Sequence, residues 1–299
     1  MRIARAVRWL PGLALLIGAP LVLGAYWCAE RKVGHRVVQS MDDISVTRNL
    51  AYADGDRHSL DVYAPRESGA PRTVMVFFYG GGWDSGSKAD FAWVGAALAR
   101  HGYVAVVPDY RVYPQVLWPK FLEDCAAAVR WVRDHVASYG GDPSALVLMG
   151  HSAGAYNAIS LAVDGRWLTG VGMDPRRDLR AAIGLSGPYD FLPLDRQRLK
   201  IIFGPEHQWP DTQPINHVDG KSPPLLLLTG DRDEYVDPPE NDRLAAKVSE
   251  KGGAATVIHY PLLNHGATLD AVAAPPNRTA PIMDDITRFI AALGAETPR

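Results

Sequence analysis

Short, continuously apolar runs alternate with amphipathic stretches from about residue 58 onward, and this alternation constrains the fold more than any other feature. The runs include TVMVFF, ALVLMG and PLLLLTG, and they lack the polar alternation of strands that face water on one side. Between them lie stretches such as 121–136, whose apolar residues recur at steps of three and four. Strands that are buried on both faces and joined by helices indicate an α/β domain with a mainly parallel sheet.

The composition of the chain excludes several classes of function. Of the 299 residues, 47% are hydrophobic and 21% are charged, and the formal net charge is -2 at pH 7. These values fit one large globular domain or two small ones, and they provide no basic surface for nucleic acid. The two cysteines, Cys28 and Cys125, lie too far apart to form a disulfide framework or a metal-ligand pattern, and we expect Cys125 to be buried in a helix.

The N-terminal segment differs in kind from the rest of the chain. Three arginines among the first eight residues precede residues 9–29, which carry no charge. About 20 apolar residues can span a bilayer, whereas the core of a cleaved signal peptide needs roughly 7 to 15. We expect residues 1–29 to be an uncleaved signal anchor or a signal peptide, and residues 30–299 to form the α/β domain and to be exported. The expected location is therefore membrane-anchored or extracytoplasmic, with contact to the membrane through the N-terminal segment.

One long segment interrupts the alternation of strands and helices. Residues 187–223 contain six prolines and show no clean hydrophobic period. A connection this long within a compact domain is usually functional, and it is often an active-site lid. We expect it to form a cap-like insertion over the sheet.

The segment LVLMGHSAGAYNA carries the pattern of a nucleophile elbow. Residues 150–154 match G-x-S-x-G, follow a predicted strand and precede a predicted helix, which is the setting that the elbow requires. The glycines permit a strained turn that exposes the hydroxyl of Ser152 at the end of the strand. A turn of small residues that only packs a helix against a strand would show the same pattern.

Candidate partners for this serine follow two later strands. A serine hydroxyl needs a base to become nucleophilic, and the base needs a carboxylate to orient it. His265 follows the run ATVIHYP, and four acidic residues follow PLLLLTG. Both groups therefore lie at the carboxyl edge of the sheet, where ligands bind in open α/β folds. Of the four acids we select Asp233, with Asp231 as the second choice.

The other histidines lack this position. His151 adjoins the nucleophile, but we expect its ring to point elsewhere on the turn. His259 lies inside a strand run, and we expect it to be packed there. The order of nucleophile, acid and base along the chain is the order of α/β-hydrolases rather than that of chymotrypsin or subtilisin.

Six ordered segments resemble one known family. They are YGGGW, PDYRVYPQVLWPKFLEDCAAAVRWV, GHSAG, GLSGPYD, TGDRDEYVDP and NHG, and they cover roughly residues 55–295. The chain resembles the esterases and lipases of the α/β-hydrolase fold, close to hormone-sensitive-lipase-like and related bacterial carboxylesterases. The resemblance implies a mainly parallel central sheet flanked by helices, with a small cap or lid insertion at about 187–223. The family's G-x-x-D-x-x-V pattern places the acid three residues after the glycine, which supports Asp233.

The resemblance also implies a role for the glycine loop that follows TVMVFF. In the family this loop supplies backbone N–H groups to an oxyanion hole, and here the donors are Gly81 and Gly82, joined by Ala153 after the nucleophile. Tyr79 stands where the family commonly has a histidine, and we expect its ring and hydroxyl to brace the loop. Trp83 is expected either to line the acyl side of a substrate pocket or simply to pack.

Asp109 and Arg111 resemble the family's structural D-Y-R turn, and we expect an internal salt bridge or loop brace there.

Together these assignments predict a serine esterase that cleaves small-molecule esters with short or medium acyl groups, through an acyl-enzyme, without a metal or cofactor. Two alternatives stay open, because fold does not fix chemistry. One is an arylformamidase-like amidase or a peptidase with the same triad. The other is a non-catalytic, membrane-tethered binding protein on a hydrolase scaffold.

Overall fold

The computed structural model describes residues 43–67, 69–274 and 280–295, and its centre is one eight-stranded sheet. The strands are β1 (Ile44–Ala51), β2 (Ser59–Pro65), β3 (Arg72–Phe78), β4 (Val104–Pro108), β5 (Gly141–His151), β6 (Ala181–Leu185), β7 (Leu225–Gly230) and β8 (Ala255–Tyr260). Their spatial order is β1-β2-β4-β3-β5-β6-β7-β8.

Helices connect and cover these strands. They are α1 (Ala92–Arg100), α2 (Lys120–His135), α3 (Ala153–Val163), α4 (Gly165–Thr169), α5 (Pro175–Asp178), α6 (Gln197–Ile202), α7 (Pro239–Glu250), α8 (His265–Asp270) and α9 (Ile282–Ala295). Short 3₁₀ helices lie between these elements at Val136–Tyr139, Glu206–Thr212 and Pro214–His217.

The sheet is parallel except at one end. β1 pairs with β2 and β2 pairs with β4 in antiparallel register, whereas the pairs from β4 through β3 to β8 are all parallel. Strands β4, β6 and β7 are buried along their whole length, as their continuous apolar runs predict. The predicted α/β class with a mainly parallel sheet and flanking helices is therefore confirmed.

Helix α2 shows how the sequence forms the layers beside the sheet. Pro119 precedes its first turn, and the helix is followed by a 3₁₀ turn that ends at Gly140, whose φ is 79°. Its apolar stripe packs into the core through side chains that are at most 1% exposed, among them Leu122, Cys125, Val129 and Val132. Cys125 is buried, as predicted.

Two strands depart from the sequence-based description. β1 was not predicted, because exposed residues dominate its burial pattern and leave only a weak strand signal. β8 is, like β1, an edge strand, and most of its side chains are partly or fully exposed, although its apolar run suggested burial on both faces. At an edge, one side of the strand has no neighbour to cover it.

The N-terminal prediction lies outside the described residues, since these begin at residue 43. Within the described ranges, no helix combines the length and apolar character that a bilayer span requires.

Candidate active site

The nucleophile motif forms a sharp turn between β5 and α3. β5 ends at His151 and α3 begins at Ala153, and Ser152 between them has φ 55° and ψ -124°. A side chain in this conformation is strained, as at a nucleophile elbow. Only glycine fits at position 154, because a Cβ there would collide with the carbonyl of Phe78. The strand-to-helix turn therefore brings the serine to the carboxyl edge of the sheet.

The three residues selected from the sequence are in contact there. Ser152 Oγ lies 2.9 Å from His265 Nε2, and His265 Nδ1 lies 2.8 Å from Asp233 Oδ2. The Asp233 side chain is fully buried, and its Oδ1 accepts the N–H groups of Tyr235 and Val236 at 2.9 and 3.0 Å. Burial raises the pKa of Asp233, but its hydrogen bonds outweigh burial and hold the pKa below the usual value. The geometry suits a nucleophile, a base and an orienting carboxylate.

Asp231, the second choice for the acid, belongs to a different cluster. Its Oδ1 lies 2.6 Å from Nδ1 of His259, whose Nε2 lies 3.1 Å from a carboxylate oxygen of Asp242. The prediction that His259 is packed was wrong, because its side chain on the edge strand β8 is 35% exposed. Partial burial lowers the pKa of His259, but the hydrogen bonds to the two carboxylates outweigh burial and raise it.

His151 was expected to point away from the site, and the structure contradicts this. Its Nε2 lies 2.9 Å from the backbone carbonyl oxygen of His265, and the centroids of the two rings are 4.7 Å apart. Burial, together with the charge that His265 can carry, lowers the pKa of His151 to about 3. His151 is therefore neutral near pH 7. The sequence contained no signal for this contact beyond the adjacency of His151 to Ser152.

The glycine loop, residues 79–90, follows β3 and runs beside the elbow. Gly81 and Gly82 have φ of 128° and 60°, which favours glycine, and a Cβ at Gly81 would collide with the carbonyl of Ser85. Within the described ranges, the N–H groups of Gly81 and Gly82 donate no hydrogen bond to the protein. Ala153, at the first position of α3, has no intrahelical carbonyl for its own N–H. These three positions carry the N–H groups from which an oxyanion hole could be built.

Tyr79 makes both contacts that a brace requires. Its hydroxyl donates to Asp109 Oδ1 and accepts from Arg57 Nη2, each at 2.8 Å. Its ring is fully buried and stacks on Phe91 and Tyr110, with centroids 5.3 and 4.7 Å away. Burial, with the neighbouring Tyr110 and Asp109, raises the pKa of the Tyr79 hydroxyl, and the charge of Arg57 offsets only part of this increase.

A second set of contacts ties the glycine loop to the β1–β2 hairpin. Arg57 in this hairpin also donates to the carbonyls of Tyr110 and Gly86, each at 2.7 Å. Lys88 Nζ lies 2.7 Å from Asp61 Oδ1 in β2, and that carboxylate is almost completely buried. The loop is thus attached through charged groups that lie far away in sequence.

The D-Y-R turn is a brace, but its two charged residues do not pair with each other. Asp109 accepts from the Tyr79 hydroxyl and from the N–H of Lys88, the latter at 2.6 Å. Arg111 instead makes a two-pronged contact with the buried carboxylate of Asp124 in α2, at 2.7 and 2.9 Å. The turn therefore attaches both to the glycine loop and to a flanking helix.

Trp83 lies in an aromatic cluster that joins the glycine loop to the segment 187–223. Its side chain is only 4% exposed, and its ring contacts Tyr156, Phe191 and Phe203 with centroids 5.1, 6.2 and 4.8 Å away. Its Nε1 donates to Asn157 Oδ1 at 3.2 Å. The observed burial favours packing over direct lining of a pocket.

One aromatic side chain next to the triad was missed by sequence reasoning. The Tyr235 ring is 52% exposed, and its centroid lies 5.2 Å from that of His265. Its position two residues after the acid is the only sequence signal that could have indicated it.

Within the ranges that the structure describes, no group of three or more His, Cys, Asp or Glu side chains could hold a metal ion.

The parallel sheet, the elbow and the contact from serine through histidine to aspartate define an α/β-hydrolase fold with the geometry of a serine hydrolase. Comparison with known proteins identifies the family. The BD-FAE family matches residues 60–248, more than half of the chain, and the chain therefore belongs to this family of hydrolase-fold esterases.

Several curated proteins are similar in sequence. Over 238 residues the chain is 31% identical to a probable isoprenylcysteine alpha-carbonyl methylesterase of Arabidopsis thaliana, covering 72% of this chain and 50% of that protein. A probable isoprenylcysteine alpha-carbonyl methylesterase of Oryza sativa subsp. japonica is 33% identical over 272 residues, covering 85% of this chain and 64% of that protein. Esterase LipQ of Mycobacterium tuberculosis is 26% identical over 257 residues, covering 78% and 59%. The chain thus spans between half and two thirds of the length of these relatives.

Solved structures show the same fold. Esterase B from Lactobacillus rhamnosis superimposes with a TM-score of 0.76 at 19% identity, covering 91% of this chain and 92% of that chain. The native esterase 2 of Thermogutta terrifontis superimposes with a TM-score of 0.67 at 26% identity, covering 90% and 99%. The resemblance and the α/β-hydrolase fold inferred from the sequence are both confirmed.

Proposed function

We propose that the protein is a serine carboxylic ester hydrolase whose catalytic residues are Ser152, His265 and Asp233. The observation that carries the proposal is the continuous contact from Ser152 Oγ through the imidazole to the buried carboxylate, at 2.9 and 2.8 Å. Relatives named as methylesterases and esterases support an ester rather than an amide as the substrate.

The reaction has two steps. In the first, His265 Nε2 takes the proton of Ser152 while Oγ attacks the ester carbonyl, and the resulting tetrahedral intermediate then expels the alcohol, which receives that proton. In the second, water attacks the acyl-enzyme with the same base, and the acid product leaves. The carboxylate of Asp233 holds the Nδ1–H tautomer and stabilises the imidazolium that forms in each step.

The oxyanion of each tetrahedral intermediate would be bound by the N–H groups of Gly81, Gly82 and Ala153. A donor of this kind is typically worth about 2.7–4 kcal/mol of the barrier. Since a backbone donor can be aimed only by fixing its peptide plane, the contacts of Tyr79 to Arg57 and Asp109 would serve catalysis by holding the loop.

The substrate would be a small-molecule ester with a short or medium acyl group. The aromatic cluster of Trp83, Tyr156, Phe191 and Phe203 supports this limit, because it fills the space between the glycine loop and the segment 187–223. That segment would act as a cap that is fixed by packing, since Phe203 is fully buried in the cluster.

The N-terminal residues 1–29 would anchor or export the protein, and the arginines followed by an uncharged apolar run support this. A reporter fused to the C-terminus should be active on the exported side of the membrane. Activity of the reporter in the cytoplasm would contradict the proposal.

The test of the activity is hydrolysis of p-nitrophenyl acetate, butyrate, octanoate and palmitate by the full chain, beside Ser152→Ala. We expect turnover that the substitution abolishes, with the best rate on a short or medium chain. Folded protein that cleaves none of these esters would contradict the proposal. An N-formylaryl amide would then test the amidase alternative, and a fluorophosphonate label would test the non-catalytic one.

A further inference from the structure

The backbone carbonyl of His265 is held by two side chains from different parts of the fold. His151 Nε2 lies 2.9 Å from this oxygen, and Thr268 Oγ1 donates to it at 2.8 Å. Thr268 is fully buried, and its Oγ1 lies 3.0 Å from Oγ of Ser186, which is also fully buried. A threonine hydroxyl in a helix often bonds the carbonyl one turn earlier, as Thr268 does here. Helix formation does not account for the second donor, His151, which reaches the same oxygen from the end of β5.

The protonation state of His151 determines what its contact can do. The side chain is buried, and burial together with the neighbouring His265 lowers its pKa to about 3, so the ring is neutral near pH 7. A carbonyl oxygen only accepts, and Nε2 of the neutral ring must therefore carry the proton. The opposite edge of the ring faces the glycine loop, since a Cβ at Gly80 would lie 3.3 Å from Nδ1.

The placement of the His265 backbone matters because its imidazole must make two contacts at once. Nε2 must reach Ser152 Oγ and Nδ1 must reach Asp233 Oδ2, and the observed distances of 2.9 and 2.8 Å allow little displacement. A misplacement of about 1 Å in an active site can lower the rate about 100-fold.

We propose that His151 and Thr268 are positioning residues for the catalytic base, and that the His151 Nε2–H bond couples the backbone of His265 to the strand that presents the nucleophile. His151 is the last residue of β5 and directly precedes Ser152. A displacement of the base relative to the serine must therefore break this bond or strain the elbow. The inference rests on the proposed function of His265 as the base.

The test compares variants that differ only in the donor. His151→Leu removes the donor and keeps an apolar side chain, whereas His151→Gln offers an amide N–H at a similar reach. Thr268→Val and Thr268→Ser form the second pair, with the hydroxyl removed or retained. Met149→Leu, two residues earlier on the same strand and fully buried, is the matched control for disturbance of β5.

We expect His151→Leu to lower kcat for p-nitrophenyl butyrate by about 10- to 100-fold with KM nearly unchanged, and His151→Gln to stay within about threefold of the wild type. Thr268→Val should lower kcat, and Thr268→Ser should not. Equal rates for the leucine and glutamine variants would overturn the proposal, whether both are impaired or both are active. If His151→Leu does not fold, the threonine pair decides in the same way.

A second readout separates this inference from the proposed function. The downfield proton resonance of His265 Nδ1–H reports its bond to Asp233 without any turnover. We expect it in the wild type and in His151→Gln, and we expect it to broaden or shift in His151→Leu. If the wild type neither cleaves esters nor reacts with a fluorophosphonate, the proposed function fails, and this resonance still tests the placement. An identical resonance in the wild type and both His151 variants would overturn the inference.

Discussion

The contacts that hold the glycine loop and the outer contacts on the acid–base side differ in burial. The glycine loop is fixed by buried groups, among them the hydroxyl of Tyr79 and the ion pair of Lys88 with Asp61. On the acid–base side, His259 on the edge strand β8 contacts two carboxylates, and the side chains of this outer cluster are 35–54% exposed.

The difference follows from what each half contributes. The oxyanion donors are backbone N–H groups, which cannot reach toward a partner and must be aimed by everything around them. The base and the acid are side chains that bond directly to each other, at 2.8 Å between His265 and Asp233. The acid–base half is therefore held by this bond and by buried contacts to the His265 backbone, and the exposed outer cluster contributes less.

The largest effect is expected at the direct contact between His265 and Asp233. Asp233→Asn should lower kcat/KM for p-nitrophenyl butyrate by about 10⁴-fold, because an amide favours the wrong tautomer of His265. Asp231→Asn is the control, since Asp231 contacts His259 instead, and its rate should stay close to that of the wild type. A larger loss in Asp231→Asn than in Asp233→Asn would reverse the assignment of the acid.

The next effect concerns the buried attachment of the glycine loop. Asp61→Asn should lower the free energy of unfolding by about 3–5 kcal/mol, because it leaves the buried Lys88 ammonium without a carboxylate partner and with only neutral acceptors such as Asn49 Oδ1. Urea denaturation of the full chain measures the change. The matched change in the exposed cluster, Asp242→Asn, should cost less than about 1 kcal/mol. Similar losses of unfolding free energy in Asp61→Asn and Asp242→Asn would show that the buried contacts of the glycine loop stabilise the fold no more than the exposed cluster does.

Tyr79→Phe should have a smaller effect, on activity more than on stability. The variant keeps the stacked ring and removes the hydroxyl that links Arg57 to Asp109, so the oxyanion donors are aimed less accurately. We expect kcat to fall about 10-fold with little change in KM, which is less than the loss of a whole oxyanion donor. Tyr103→Phe, whose hydroxyl contacts Thr287 in α9, is the control and should retain the wild-type rate. An intact rate in Tyr79→Phe would show that the hydroxyl has no role.

The smallest effect is a pH-dependent one at the exposed cluster. Because Asp231 and Asp242 raise the pKa of His259 in the folded state, the cluster stabilises the fold fully below about pH 6.5, the ordinary histidine value. This stabilisation is lost as the pH rises through the raised pKa. The unfolding free energy of the wild type should exceed that of His259→Asn by less than about 1 kcal/mol near pH 5.5, and salt should reduce the difference. A difference that grows with pH would contradict the assignment.

The catalytic candidates were predictable because their signals are local. Ser152 lies in a strand–turn–helix motif. Asp233 follows the buried strand β7, and His265 follows β8, whose end lies at the same carboxyl edge of the sheet. In a parallel sheet, the ends of the strands fix which loops meet, so the order of strands and motifs was sufficient.

The supporting contacts were not predictable for the opposite reason. Arg57 meets Tyr79 only because the β1–β2 hairpin folds beside the glycine loop, and neither residue has a pattern that indicates the other. Arg111 pairs with Asp124 rather than with Asp109, its neighbour in sequence. The orientation of His151 depends on rotation about side-chain bonds within a strained turn, which a motif does not specify.

Stability and the proposed reaction make opposite demands on position 152. A non-glycine residue with the positive φ of Ser152 costs on the order of 1–3 kcal/mol, whereas glycine would adopt this conformation freely. Glycine at this position would therefore relieve the backbone strain at φ 55°, and it would also remove the hydroxyl that the proposed reaction needs. The rest of the fold must hold the serine in a conformation that its own backbone does not favour.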